Sequence, residues 1–167
     1  MNDKRKEICL NYLKARKEFL DFGNSDEVLH GNDNIVGRIG EAIAHSFLEH
    51  KYRQPKVLIN QTNAGYDILC AKGDPRISVK MITSENKTGS TSQIKHDWDE
   101  LIGIELGEHQ KVIKLGVISR ANFEGEQKKR GRRLDPNFSR TMLKPNGVFA
   151  AAGKVYENEE LKVFNLL

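Results

Sequence analysis

Four residues in the first half of the chain have types and spacing that could do chemistry together: Glu41, Asp67, Ser78 and Lys80. Asp67 opens the run Tyr66-Asp67-Ile68-Leu69-Cys70-Ala71, and Lys80 sits in Arg76-Ile77-Ser78-Val79-Lys80-Met81-Ile82; both runs read as strands. Gly73-Asp74-Pro75 supplies a turn between them, and a hairpin about it puts Asp67 and Lys80 near the same end of the ladder. In the alternation of the second strand, Ser78 and Lys80 share one face while Ile77, Val79 and Met81 share the other. A carboxylate, a hydroxyl and an ammonium on adjoining strands make a small polar site on an otherwise apolar sheet. Taken singly, each residue has an ordinary explanation: Asp67 is a turn residue, Lys80 snorkels from an edge, and Glu41 faces solvent.

The elements that must position these groups are legible from periodicity. An amphipathic helix is predicted over about residues 4–22, where Ile8, Tyr12, Ala15, Phe19 and Phe22 form one stripe of a 3.6-residue period. A second starts near Asn32-Asp33-Asn34, whose short polar side chains suit a cap, and runs to about His50 with Val36, Ile39, Ile43 and Phe47 as its core stripe. Gly37 and Gly40 in its first turns each cost about 1 kcal/mol relative to Ala, which points to close approach of another backbone or a ligand. Glu41 follows immediately. Further strands are expected at Lys56–Asn60, Leu101–Leu106 and Val112–Ile118, the last two joined through Gly107-Glu108-His109-Gln110, with a short helix around Asn137–Leu143 before C-terminal strands. The expected fold class is α/β, a central mixed but largely antiparallel sheet flanked by helices.

At 167 residues, 38% hydrophobic and 30% charged, the chain has the size and composition of one domain with one core. We divide it into an N-terminal helix and linker (1–35), a core (36–118) and a basic segment with C-terminal strands (119–167). No stretch reaches the roughly 18 apolar residues of a membrane span, and Lys4-Arg5-Lys6 is not followed by the apolar run of a signal peptide. Cys9 and Cys70 are too few for a disulfide framework, so reduced thiols and a cytoplasmic location are expected, with no membrane partner. No phosphate-cradling glycine motif follows a strand, which disfavours a nucleotide-binding enzyme. His96-Asp97-Trp98-Asp99-Glu100 carries ligand-type residues but no zinc spacing, and reads as the lead-in to a strand.

Positive charge is concentrated. Residues 120–144 hold eight basic and three acidic residues, a net of +5, which leaves the remaining 19 basic and 20 acidic residues at −1. A polyanion-binding face needs such localisation; the same pattern also suits a solvated loop. The candidate contacts are Arg120, Lys128, Lys129, Arg130, Arg132, Arg133 and Arg140, with Lys87 from a second polar loop over residues 86–93. Gly125 and Gly131 suggest that the basic segment is a flexible loop that orders on its partner.

Gly40-Glu41 on a helix, then Gly65-Tyr66-Asp67-Ile68-Leu69, then Ile77-Ser78-Val79-Lys80-Met81 resembles the PD-(D/E)XK nuclease superfamily, which includes many type II restriction endonucleases and the nicking endonuclease of methyl-directed mismatch repair. The resemblance spans roughly Val36 to Ile118, about half the chain. It implies a restriction-endonuclease-like fold, with Asp67 as the metal-binding aspartate, Lys80 as the catalytic lysine and Glu41 as the helix glutamate that many members add. Ser78 stands where the motif has its second acidic residue. A hydroxyl is a poorer ligand than a carboxylate for a hard cation, so either Glu41 supplies the charge, or Asp74 or Glu85 does, or the site is weakened. We favour Glu41.

The resemblance therefore implies an endonuclease that uses Mg²⁺, or Mn²⁺ in its place, to hydrolyse phosphodiester bonds in DNA, double-stranded DNA being favoured over RNA or a branched substrate, in a restriction, phage or genome-defence setting. Asp67 and Glu41 would hold the metal, Lys80 would position the attacking water or stabilise developing charge, and the basic segment would contact phosphates. Cutting both strands calls for two copies of so small a domain, so a homodimer is expected. Two rival expectations remain: a catalytically weakened DNA-binding protein of the same fold, and a protein that binds an acidic partner through its basic loop.

Overall fold

The computed structural model describes residues 3–30, 34–51, 53–57, 65–70, 75–107, 109 and 111–164. Helices α1 (Asp3–Gly23) and α2 (Ile35–His50) are followed by strands β1 (Pro55–Val57), β2 (Ile68–Cys70), β3 (Arg76–Ile82), β4 (Ser90–Gln93), β5 (Glu100–Leu106) and β6 (Val112–Ser119). Helix α3 (Arg120–Lys129), strand β7 (Asn137–Ser139), a 3₁₀ turn (Arg140–Leu143), α4 (Val148–Ala152), β8 (Lys154–Glu157) and α5 (Glu159–Lys162) complete the chain. Six strands form one sheet in the order β1-β2-β3-β5-β6-β8; β4 and β7 pair separately. The expected α/β class with a mixed sheet and flanking helices is observed: β3 and β5 run parallel, and the other neighbours in the sheet are antiparallel. Among the described residues no helix is long and apolar enough to cross a membrane.

Alternation along β3 divides the core in two. Ile77, Val79 and Met81 pack with Ile43, Ala44, Phe47 and Leu48 of α2 and with Ile102, Ile104, Leu115, Tyr156 and Phe164. Ile82 and Leu101 belong to the other face, under Trp98, Phe123, Phe138, Leu143 and Phe149. Gly103 and Gly116 pair across β5 and β6 and leave the sheet bare where this second layer rests. A Cβ on Gly103 would lie 2.6 Å from Phe138, and one on Gly116 would lie 2.5 Å from Leu143.

Several sequence expectations shift. In α2 the buried face is Gly40, Ile43, Ala44, Phe47 and Leu48, with Arg38 also buried, whereas Val36 is exposed. The helix is rotated because Gly40 lies against β3, where an added Cβ would meet that of Met81 at 3.0 Å. The apolar stripe of α1 is present but carries little core: Ile8, Tyr12, Ala15 and Phe22 are exposed. Both faces of the sheet are already covered by other elements. Of the expected strand Lys56–Asn60, Lys56 and Val57 lie in β1, and residues 58–60 lie outside the described residues, as does Ala71 beyond β2. The second polar loop is partly a strand, β4, and the expected short helix near 137–143 is β7 followed by the 3₁₀ turn.

The basic segment is not a loop over its first half. Residues 120–129 form α3, capped by Ser119 Oγ accepting from the Asn122 N–H and anchored by buried Phe123 and Gln127. Ion pairs one turn apart, Arg120 with Glu124 and Arg130 with Glu126, each at 2.7 Å, support the helix despite Gly125. Gly131, at φ 63°, then turns the chain in the left-handed conformation that glycine adopts readily.

Candidate active site at the edge of β3

Strand β2 pairs with β3 only through Ile68–Ile77 and Leu69–Arg76. One residue before β2, the Asp67 N–H donates to Ile77 O at 2.7 Å, and its carboxylate Oδ2 accepts the Val79 N–H at 2.6 Å. A backbone donor at a strand edge needs an acceptor when its neighbour departs, and here an aspartate side chain supplies it. The Ser78 hydroxyl donates to the same Oδ2 at 3.4 Å. Ser78 is 1% exposed, so the hydroxyl is directed inward, onto the carboxylate.

Lys80 is the next residue of its face after Ser78, in register with Gly103 of β5. Glu41 reaches the same place from α2, one residue after Gly40, whose contact with Met81 seats that turn of the helix on β3. Glu41, Asp67, Ser78 and Lys80, expected together from the sequence, are thus brought together at the point where the β2–β3 ladder ends.

Their electrostatics are those of a crowded, half-buried cluster. Burial raises the Glu41 carboxyl to about 7, and the neighbouring Asp67 charge pushes the same way, against smaller opposing effects of Arg38 and Lys80. Burial also raises Asp67, opposed by the Val79 N–H, Lys80, Ser78 and Lys95. Lys80 is lowered by burial and by Lys95, while Asp67 and Glu41 pull it up. Two carboxylates that repel each other beside a lysine held below its ordinary value form an arrangement suited to a divalent cation and an anionic substrate. Mg²⁺ commonly takes only one or two protein carboxylates, completing its shell with water and substrate phosphate, so the donor set fits. Of the alternative ligands, Glu85 is exposed in the turn after β3, its N–H held by Thr83 Oγ1 at 3.3 Å, and Asp74 lies outside the described residues. Among the described residues no three His, Cys, Asp or Glu side chains group as a metal cluster.

Two nearby residues escaped the sequence reading. Arg38, 2% exposed, sits one turn before Glu41, with its Nε–H donated to Leu29 O and its guanidinium over the Phe19 ring at 5.2 Å. Lys95 stands on the segment after β4 and acts on both Asp67 and Lys80. The apolar pair Ile94 and Trp98 within an otherwise polar stretch was the available signal that this segment is anchored.

The predicted phosphate contacts separate into two kinds. Arg140 braces the fold: its guanidinium donates to Thr83 O and to Asn86 O and lies 3.4 Å from Glu105. Arg120 and Arg130 are paired within or just beyond α3, and Arg130 also donates to Asn146 O at 2.8 Å. Arg133 pairs with Asp135 at 2.9 Å and Lys129 lies 3.8 Å from Glu126. Lys87, Lys128 and Arg132 are exposed. Arg132 and Lys144 border a cavity of about 400 Å³ that includes Gln127, Met142 and Asn146.

Compared with protein-family models the chain matches none, and a search of curated proteins likewise finds no match.

Proposed function

We propose that this protein is a metal-dependent endonuclease with a restriction-endonuclease-like fold, hydrolysing phosphodiester bonds in DNA. The observation that carries the reading is the meeting of Glu41, Asp67 and Lys80 at the edge of β3, drawn from helix α2, the residue leading into β2 and strand β3, in the order that suggested the superfamily. Glu41 and Asp67 would hold Mg²⁺ or Mn²⁺, and such a cation supplies Lewis-acid stabilisation of charge building on the phosphoryl oxygens. Asp67 is fixed for this by the Val79 N–H, which occupies one oxygen and orients the other. Lys80, partly desolvated, orients the attacking water or neutralises charge on the phosphoryl group. The exposed basic residues Lys87, Lys128, Arg132 and Lys144 supply phosphate contacts to duplex DNA.

Plasmid incubated with pure protein and Mg²⁺ tests the proposal. Nicking or linearisation that EDTA abolishes, and that Asp67→Asn and Lys80→Ala both lose, is expected. Undiminished cutting by either variant would overturn it. A second reading, a DNA-binding protein of the same fold with a weakened site, is favoured by Ser78, which places a buried hydroxyl where the motif has an acid. Metal-independent gel shifts with no cleavage under any divalent ion would select it.

A further inference from the structure

A depression of about 290 Å³ is lined by Gly65, two residues before Asp67 in the chain, and by Gln93, Ile94, Lys95, His96 and Asp97. Its two walls are held close. A Cβ on Gly65 would lie 2.7 Å from the Asp97 backbone nitrogen, so the segment leading into Asp67 rests directly on the segment that carries Lys95. That second segment is fixed on both sides of the lysine. Ile94 is fully buried and its N–H donates to Pro136 O at 2.9 Å. Trp98, 2% exposed, donates its indole N–H to Lys95 O. The Lys95 side chain itself is exposed, and its charge is felt by Asp67 and Lys80 alike. A cation on a fixed backbone, solvent-facing at the rim of an anion-handling site, costs little desolvation and is available to a ligand.

We propose that Lys95 is a second phosphate-binding cation of this site, gripping a backbone phosphate of the substrate strand that flanks the bond to be cut, with the depression beside Gly65 receiving the strand. The inference rests on the nuclease reading and deepens it. Lys80 and the carboxylates serve the scissile phosphate, and Lys95 acts as a positioning residue on the next one. Its loss removes binding that substrate and transition state share, so it acts on KM and leaves kcat nearly unchanged.

The test uses the full chain, a fluorescent duplex oligonucleotide and Mg²⁺-dependent cleavage. Lys95→Ala should raise KM about tenfold, the loss expected for one charge-assisted hydrogen bond, with kcat within about twofold. In EDTA, the slope of log affinity against log salt concentration should fall by about 0.9, one phosphate contact on a duplex. Lys95→Arg should restore both, and Lys162→Ala, beside the far edge of the sheet, should change neither. Lys95→Gln keeps the apolar stem and should behave like Lys95→Ala, with an unchanged melting temperature. If the wild type cleaves but Lys95→Ala keeps its salt slope and KM, the inference is wrong and the nuclease reading stands. A shifted pH profile with an unchanged salt slope would make Lys95 only a counter-charge for Asp67, which also overturns it. If the wild type cleaves under no divalent ion, the nuclease reading falls and the assignment of Lys95 falls with it.

Discussion

The Asp67 carboxylate accepts the Val79 N–H at 2.6 Å, so the side chain that completes the edge of β3 is also one of the two acids proposed to hold a metal. Structure and chemistry are coupled in one group, and substitutions can separate them. Asp67→Asn keeps an oxygen acceptor for Val79 but removes the charge. Cleavage should fall by about 100-fold or more, while the melting temperature changes little. Asp67→Ala removes both, leaving a buried N–H without its acceptor at a cost of about 1–3 kcal/mol, measurable by urea unfolding.

Glu41 sets a pH dependence. Its carboxyl is raised from an ordinary 4.5 to about 7 by burial and by Asp67. The folded state therefore binds more protons than the unfolded state between those values, and metal-free stability falls as pH rises from about 4.5 to about 7. The full cost, at most about 3 kcal/mol from the size of the shift, is present above pH 7. Glu41→Gln should therefore raise the melting temperature at pH 8 in EDTA and leave it nearly unchanged at pH 4. Metal binding requires the ionised form, so wild-type cleavage should climb with pH through about 7.

Ser78 marks the departure from the motif. It is buried against Asp67, so Ser78→Asp places a third carboxylate in a closed space. In EDTA the variant should unfold more easily, by about 2 kcal/mol. Mn²⁺ should recover most of that loss and bind more tightly than in the wild type, as a thermal shift titrated with metal would record.

The basic residues should part into two classes. Arg140→Ala breaks a part-buried brace among Thr83, Asn86 and Glu105 and should cost about 3 kcal/mol of stability. Arg132→Ala, at an exposed rim, should leave stability unchanged. It should instead reduce the salt dependence of DNA affinity by about one phosphate contact.

The strands around Asp67 and Lys80 were legible because period-two alternation acts locally; of the two α2 glycines only Gly40 marks a close approach, and it is to the Met81 and Val79 side chains, while Gly37 meets its own cap Asn34. Which face of α2 is buried was not legible, since Gly40 seating on Met81 decides it across 41 residues of sequence. Helix α3 was hidden by its polarity and by Gly125; its support comes from ion pairs and from the contact of Phe123 with Trp98 at 5.7 Å between ring centroids. The basic segment looked uniform because composition cannot tell Arg140, tied to Glu105 of β5, from Arg132, which faces solvent. Lys95 was missed for a similar reason: only the fold brings the segment after β4 against Gly65.

The central claim is that Glu41 and Asp67 share one divalent cation. Crystals soaked in Mn²⁺ and measured at the manganese absorption edge test it most directly. One anomalous peak bridging the Glu41 and Asp67 carboxylates, and lost in Asp67→Asn, is the predicted result. A peak elsewhere, or an empty site at saturating Mn²⁺ and pH 8, would contradict it.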